Sequence, residues 1–173
     1  MVLRFVLGVC IAAVSVSAIA QDELGKKERK KIVIDWATYD GAKSYAIEYE
    51  SIIPKSTVKQ VADALDEVLT QYVQVFRFKP ADKLKVKFLD NPNTFEQEGG
   101  NPSNPAHFNP STEYLVMQQM PFYQLIPTVY HEACHQYLHF YIGRGVPIPI
   151  WFNEGMAMYY EGIQKSRETM NPA

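Results

Sequence analysis

Short runs of alternating apolar and polar residues in the first half of the chain are typical of half-buried β-strands. Leu84, Val86 and Phe88, for example, alternate with lysines. The other predicted strands are residues 32–38, 45–50, 108 and 114–117. Residues 56–76 carry apolar side chains at i, i+3, i+4 and i+7, which predicts a helix with one buried face. Residues 91–105 are rich in Gly, Pro and Asn, so we expect a loop there.

Helical patterning dominates the second half of the chain. One helix is predicted from Leu125 to Gly143, and a last helix is predicted to begin near Trp151. Prolines keep the segment between these two helices extended. The whole pattern predicts an α+β fold, in which a small mixed sheet with the 56–76 helix packed on it lies over the last two helices.

The first twenty residues have the pattern of a secretory signal peptide. Arg4 precedes an apolar run, and Ala18-Ile19-Ala20 forms an A-x-A cleavage signal before Gln21. The run is shorter than the roughly 20 residues that a membrane-spanning helix needs. We therefore expect a secreted or periplasmic protein without membrane attachment after cleavage, with an uncleaved anchor as the alternative. Residues 21–31 are polar and predict a disordered lead-in, followed by one domain over residues 32–173.

The charge of the chain bears on its class of partner, and its cysteine content bears on whether a disulfide can form. The formal net charge of the whole chain is −2. Residues 1–20 contain one charged residue, Arg4, so the mature chain has 16 basic and 19 acidic residues and a charge of −3. This mild acidity argues against a nucleic-acid partner, which usually leaves a basic footprint. Beyond residue 20 the one cysteine is Cys134, so no disulfide can form within the mature chain. The oligomeric state stays open.

The residues with the clearest chemistry are His131-Glu132-Ala133-Cys134-His135. Residues four apart in a helix lie on nearly the same face, so the two imidazoles can ligate one zinc ion at about 2.0–2.1 Å. Glu132 would lie beside the metal, where its carboxylate can take a proton from an activated water. A surface helix that carries this pattern by chance is the alternative.

Glu154 is the predicted third ligand. It follows His135 by 19 positions and lies in a segment with amphipathic spacing. Two histidines and one glutamate, with a fourth position left open, form a catalytic zinc set and not a closed structural one. The residues therefore predict one Zn²⁺ ion bound by His131, His135 and Glu154.

HEACH, an 18-residue gap and WFNEGMAMYYEG closely resemble the gluzincins, the superfamily of thermolysin and aminopeptidase N. Aminopeptidase N relatives carry W-L-N-E-G-x-A-x-Y-x-E, and this chain matches it at Trp151, Asn153, Glu154, Gly155, Ala157, Tyr159 and Glu161. The resemblance implies a thermolysin-like catalytic domain with two zinc-site helices. It implies a zinc metallopeptidase that hydrolyses peptide bonds in a peptide or protein substrate. Residues 106–117 resemble the family's substrate strand, on whose edge such a substrate would add as a strand.

Departures from the family pattern leave other functions open. The Gly-Ala-Met-Glu-Asn segment of the aminopeptidases is absent, and their downstream oxyanion tyrosine has no obvious equivalent here. His107 is a candidate oxyanion donor, although an ordinary loop histidine is the favoured interpretation. Tyr159 is one of several tyrosines near the motifs, most of them expected in the core, and is a candidate for polarising the scissile carbonyl. Asn153 is a candidate helix cap or substrate contact. Two alternatives remain: a zinc-binding pseudoenzyme that binds a partner, and a zinc hydrolase of non-peptide substrates.

Overall fold

The computed structural model describes residues 31–101 and 103–170, and this part of the chain has an α+β fold, as predicted. The predicted signal peptide and the lead-in up to residue 30 lie outside the described residues. The strands are β1 (Trp36–Tyr39), β2 (Tyr45–Glu50), β3 (Leu84–Leu89), β4 (Ala106–Asn109) and β5 (Tyr114–Gln118). The helices are α1 (Lys55–Phe76), α2 (Pro92–Gln97), α3 (Phe122–Ile142) and α4 (Ile150–Met170).

The five strands form one mixed sheet in the order β1-β2-β3-β5-β4. The central pairs β2–β3 and β3–β5 are parallel, whereas the outer pairs β1–β2 and β4–β5 are antiparallel. In the register of the last pair, Ala106 lies opposite Met117 and Asn109 opposite Tyr114. Strand β4 is therefore an edge strand of this sheet, with one side of its backbone turned away from β5.

The main core lies between one face of the sheet and helices α1 and α3. Tyr45, Ile47 and Tyr49 of β2 are buried, while the intervening Ala46 is exposed, as the alternation of a strand requires. The apolar stripe of α1 is buried on the same core. A smaller cluster that includes Phe95 and Val116 forms a second, separate packing site. Burial of these stripes explains why the helical and strand patterns could be recognised in the sequence.

Buried polar contacts fix α3 against its neighbours. Nε2 of Gln136 donates to the carbonyl oxygens of Lys85 and Glu113, at 2.9 and 3.0 Å, which joins the helix to β3 and to the β4–β5 connection. The hydroxyl of Tyr72 donates to the carbonyl oxygen of Tyr130 at 2.8 Å and joins α1 to α3. Among the described residues, no helix is both long and apolar enough to cross a membrane.

Some predicted elements differ from the structure. Helix α3 begins at Phe122, three residues before the predicted Leu125. The loop predicted over residues 91–105 contains helix α2, because the side chain of Asn91 accepts hydrogen bonds from the backbone N–H groups of Asn93 and Thr94. Pro92 follows at a position where its missing N–H costs nothing. The first strand is shorter than predicted, since residues 32–35 are irregular and β1 begins at Trp36.

Candidate metal centre

Helix α3 brings His131, Glu132 and His135 into one cluster that can bind a metal ion. One ligand atom from each residue lies within 4.8 Å of the corresponding atoms of the other two. The imidazole rings of His131 and His135 have centroids 4.9 Å apart, as expected for residues one helical turn from each other. Both histidines are partly buried, and Glu132 is buried with 6% of its surface exposed.

Helix α4 places Glu154 opposite the two histidines. One carboxylate oxygen lies 3.6 Å from Nε2 of His131, and the other lies 3.7 Å from Nε2 of His135. These separations are too long for hydrogen bonds, so the three groups face a common point without being bonded to one another. Two ring nitrogens and a carboxylate are ligands that zinc accepts. The donor set and its convergence therefore fit a zinc ion.

Glu161 holds the other nitrogen of His131. Its Oε2 lies 2.9 Å from Nδ1 of His131, and its second oxygen accepts a hydrogen bond from Lys165. Burial acts in the opposite direction, but the contacts with Lys165 and His131 keep the pKa of Glu161 below its ordinary value. A proton on Nδ1 between the two groups leaves the lone pair on Nε2, which faces Glu154. The sequence pattern contains Glu161 but assigns it no role, although its spacing of seven from Glu154 places both on one helix face.

Burial lowers the pKa of His135, although Asn153 and Glu154 oppose that shift, and the lowered pKa favours the neutral imidazole. A neutral imidazole is the form that binds metals. Nδ1 of His135 and Oδ1 of Asn153 are both buried, and neither has a hydrogen-bond partner of normal geometry among the described residues. The contribution of Asn153 to the pKa of His135 shows that its side chain lies beside the ring, which it can orient.

Glu132 lies against the edge strand β4. Its Oε2 accepts a hydrogen bond from the backbone N–H of Phe108 at 3.1 Å. Burial, helped by the nearby Glu154 and Glu161 and opposed by the Phe108 N–H, raises the pKa of Glu132 to about 8. In the metal-free protein the pKa of this carboxylate therefore lies near neutral pH, the range that suits a general base.

Two of the predicted contact residues are not brought to the cluster. The ring of His107 contacts Phe95 at a centroid distance of 5.6 Å, whereas the ring of the next residue, Phe108, contacts His139 of α3 at 5.2 Å. Neighbouring residues of a strand point to opposite faces, so His107 points away from α3. Tyr159 is 61% exposed and its ring contacts Tyr160.

Comparison with known proteins gives no match. No protein-family model matches the chain, and no curated protein shows significant similarity to it. The likeness to the gluzincins is thus a likeness of the motifs that contain the candidate ligands. Any functional assignment therefore rests on the side chains at the site.

Proposed function

We propose that the protein is an exported zinc metallopeptidase of the gluzincin type, with a thermolysin-like catalytic domain. The observation that carries this proposal is the position of Glu154, whose two oxygens lie 3.6 and 3.7 Å from Nε2 of His131 and of His135. These three residues would hold the zinc ion, and Glu161 would keep His131 in the ligand tautomer. When bound, zinc supplies Lewis-acid chemistry to a water molecule and to a peptide carbonyl.

Glu132 would move the proton during hydrolysis. Its carboxylate would take a proton from the water that attacks the peptide carbonyl carbon. As the C–N bond breaks, Glu132 would pass this proton to the nitrogen of the leaving amine.

The edge of β4 is the proposed binding site for the peptide. Strand β4 pairs with β5 on one side only, and the N–H of Phe108 points from its other side to Glu132. An extended peptide could add to this edge through main-chain hydrogen bonds, so its carbonyl groups would pass beside the general base. Flexible or unfolded segments of a protein suit this mode, since they can become extended.

A metal-binding pseudoenzyme is the second candidate. It is favoured by the orientation of His107, which faces Phe95 and so cannot donate to an oxyanion at the cluster. Tyr159 makes no hydrogen bond to the cluster in the part of the chain that the structure describes. In this alternative the metal would hold α3 and α4 together, and the protein would act by binding a partner.

The test is to compare the metal content of the mature protein with its activity on unfolded casein. The proposal expects about one zinc per chain, cleavage that stops with a chelator, and recovery when zinc is added. Cleavage by fully zinc-free protein would contradict it. Tightly bound zinc without cleavage would favour the pseudoenzyme, and hydrolysis of esters but not peptides would favour the non-peptide hydrolase. Export predicts a mature N-terminus at Gln21, which N-terminal sequencing can check.

A further inference from the structure

A cleft lies at the C-terminal end of α3. It is a cleft of about 430 Å³ between this end of the helix and the connection from α1 to β3. Phe78, Leu84 and Phe140 give it apolar walls. None of the four candidate zinc-site residues on α3 and α4 lines it. The cleft is therefore distinct from the candidate metal centre, and its volume is in the range of small-molecule sites, about 300–1,000 Å³.

The cleft has an excess of positive charge. Four cationic residues line it, together with two carboxylates, Asp82 and Glu113. The cationic residues are Lys79, Lys83, Lys85 and Arg144. The lining thus carries two more positive than negative charges, in a chain whose formal net charge is −2. A local excess of positive charge, in a chain whose net charge is negative, favours an anionic ligand.

The negative charge of the Glu113 carboxylate is already paired with neighbouring positive charges. Hydrogen bonds from Arg144 lower the pKa of Glu113, burial opposes this shift, and the charge of Lys85 lowers the pKa further. The ammonium group of Lys83 donates to the carbonyl oxygen of Ala42, a neutral partner, at 2.8 Å. Among the described residues, Lys79 has no hydrogen bond or ion pair. The positive charges of Lys79 and Lys83 are therefore not balanced by a paired carboxylate.

Arg144 is held in position at the same cleft. Its Nε and Nη2 atoms donate to the two oxygens of Glu113, and its guanidinium lies over the Phe140 ring, 5.1 Å from the centroid. These bonds use two of the five guanidinium N–H donors. The arginine side chain is 66% exposed, so the guanidinium N–H donors that do not bond to Glu113 are accessible to a ligand. A fixed guanidinium with free donors suits the planar geometry of a carboxylate or phosphate.

The backbone of Glu113 supports this arrangement. Its φ angle is 62°, in the left-handed region that favours glycine. A glutamate at such a position is disfavoured by its own backbone, and the hydrogen bonds of its side chain with Arg144 offset part of that cost. That side chain is the one that fixes Arg144 over Phe140.

We propose that this cleft binds a small organic anion. Its carboxylate or phosphate group would be held by Arg144 and Lys79, and an apolar body would lie against Phe78 and Phe140. This proposal does not depend on the metallopeptidase function, because the two sites share no residue.

The experiment measures binding of three small probes to the mature protein by calorimetry. Phenyl phosphate and phenylacetate supply the two anionic groups on one apolar ring, and benzyl alcohol is the neutral control. We expect at least one anion to bind at least tenfold more tightly than benzyl alcohol, and salt to weaken that binding. Tighter binding of phenyl phosphate would assign the site to phosphorylated ligands, and equal or tighter binding of phenylacetate would assign it to carboxylates.

Four variants locate the binding. Lys79→Gln should weaken anion binding several-fold, and Arg144→Gln by tenfold or more. If Arg144→Gln proves unstable through its link to Glu113, Lys79→Gln alone carries the test. Lys59→Gln is the matched control, since Lys59 pairs with Asp63 on α1 and does not line the cleft. His135→Ala should also leave binding unchanged.

The proposal would be overturned by results of three kinds. The first is binding of benzyl alcohol as tight as that of the anions, or no binding of either anion. The second is anion binding that Lys79→Gln leaves unchanged. The third is binding that His135→Ala abolishes, which would place the anion at the metal centre.

Discussion

Nδ1 of His131 lies 2.9 Å from Oε2 of Glu161, a carboxylate two helical turns beyond Glu154 on the same helix. Helix α4 thus presents two carboxylates to one imidazole, with Glu154 facing Nε2 and Glu161 facing Nδ1. A carboxylate bonded to the ring nitrogen that does not bind the metal fixes the tautomer and the orientation of a ligand histidine. The packing of α4 on α3 therefore places a carboxylate at each ring nitrogen of His131.

Removing the Glu161 carboxylate should weaken zinc binding without removing a ligand. We expect Glu161→Ala to lower zinc affinity by about 10–100-fold, because the ring of His131 loses its orientation and basicity. Competition with a chromogenic chelator measures this change. Lys165→Gln is the control, since Lys165 contacts Glu161 from an exposed position and should have little effect. Equal affinity in wild type and Glu161→Ala would show that the Glu161 contact does not tune the site.

Glu154→Ala should have a larger effect than Glu161→Ala, because it removes a direct ligand. The purified variant should retain much less than one zinc per chain after dialysis, whereas Glu161→Ala should lose zinc only in competition. Metal analysis by mass spectrometry distinguishes the two cases. Undiminished zinc content in Glu154→Ala would remove this residue from the ligand set.

The contribution of Glu132 to the stability of the zinc-free protein should fall as pH rises. Burial raises the pKa of Glu132 from its ordinary 4.5 to about 8, so the unfolded chain loses this proton at lower pH than the folded chain. The resulting stabilisation is fully present below pH 4.5 and is lost as pH rises through about 8. At about 1.4 kcal/mol per unit of pKa shift, the loss is on the order of a few kcal/mol. Urea unfolding of chelator-treated protein, at about pH 5 and about pH 9, measures it.

Glu132→Gln is the matched control for this pH dependence. Its side chain has nearly the same shape but cannot ionise, so its stability should vary less between the two pH values. The same pH dependence in both proteins would mean that the fold does not raise the pKa of Glu132.

The link between α3 and the sheet should contribute measurably to stability. Gln136 is fully buried, and its amide donates to the carbonyl oxygens of Lys85 and Glu113. Gln136→Leu leaves both oxygens without this donor, and we expect the free energy of unfolding to fall by about 1–3 kcal/mol. Gln71→Leu, at a contact within α1, should change it by no more than about 0.5 kcal/mol. Chemical denaturation of the two variants checks the difference, and equal effects would contradict the account.

Local spacing explains why part of the site could be predicted from the sequence. His131 and His135 are four residues apart, so helix geometry alone puts them on one face. The motif resemblance pointed to Glu154 as the third ligand, and the structure brings its carboxylate towards both rings. The apolar periodicity of α1 likewise predicted a buried helix, because that pattern depends on residues within one element.

Contacts between distant elements could not be predicted in this way. The Phe108 N–H reaches Glu132 only because β4 lies at the sheet edge beside α3, and no local pattern encodes that strand order. The orientation of His107 depends on the same register, since a shift by one residue would exchange His107 and Phe108 between the two faces. Helix α2 was missed because its short sequence has turn-like composition, and Asn91 determines its start.

The most direct test of the central claim compares wild-type protein with Glu132→Gln for zinc content, thermal unfolding and cleavage of unfolded casein. We expect equal zinc content and a folded variant, because His131, His135 and Glu154 are unchanged. Cleavage should fall by about 10²–10⁴-fold, since the variant cannot accept the proton from water. A Glu132→Gln protein that keeps its zinc and cleaves casein as fast as wild type would contradict the assignment of Glu132 as the general base.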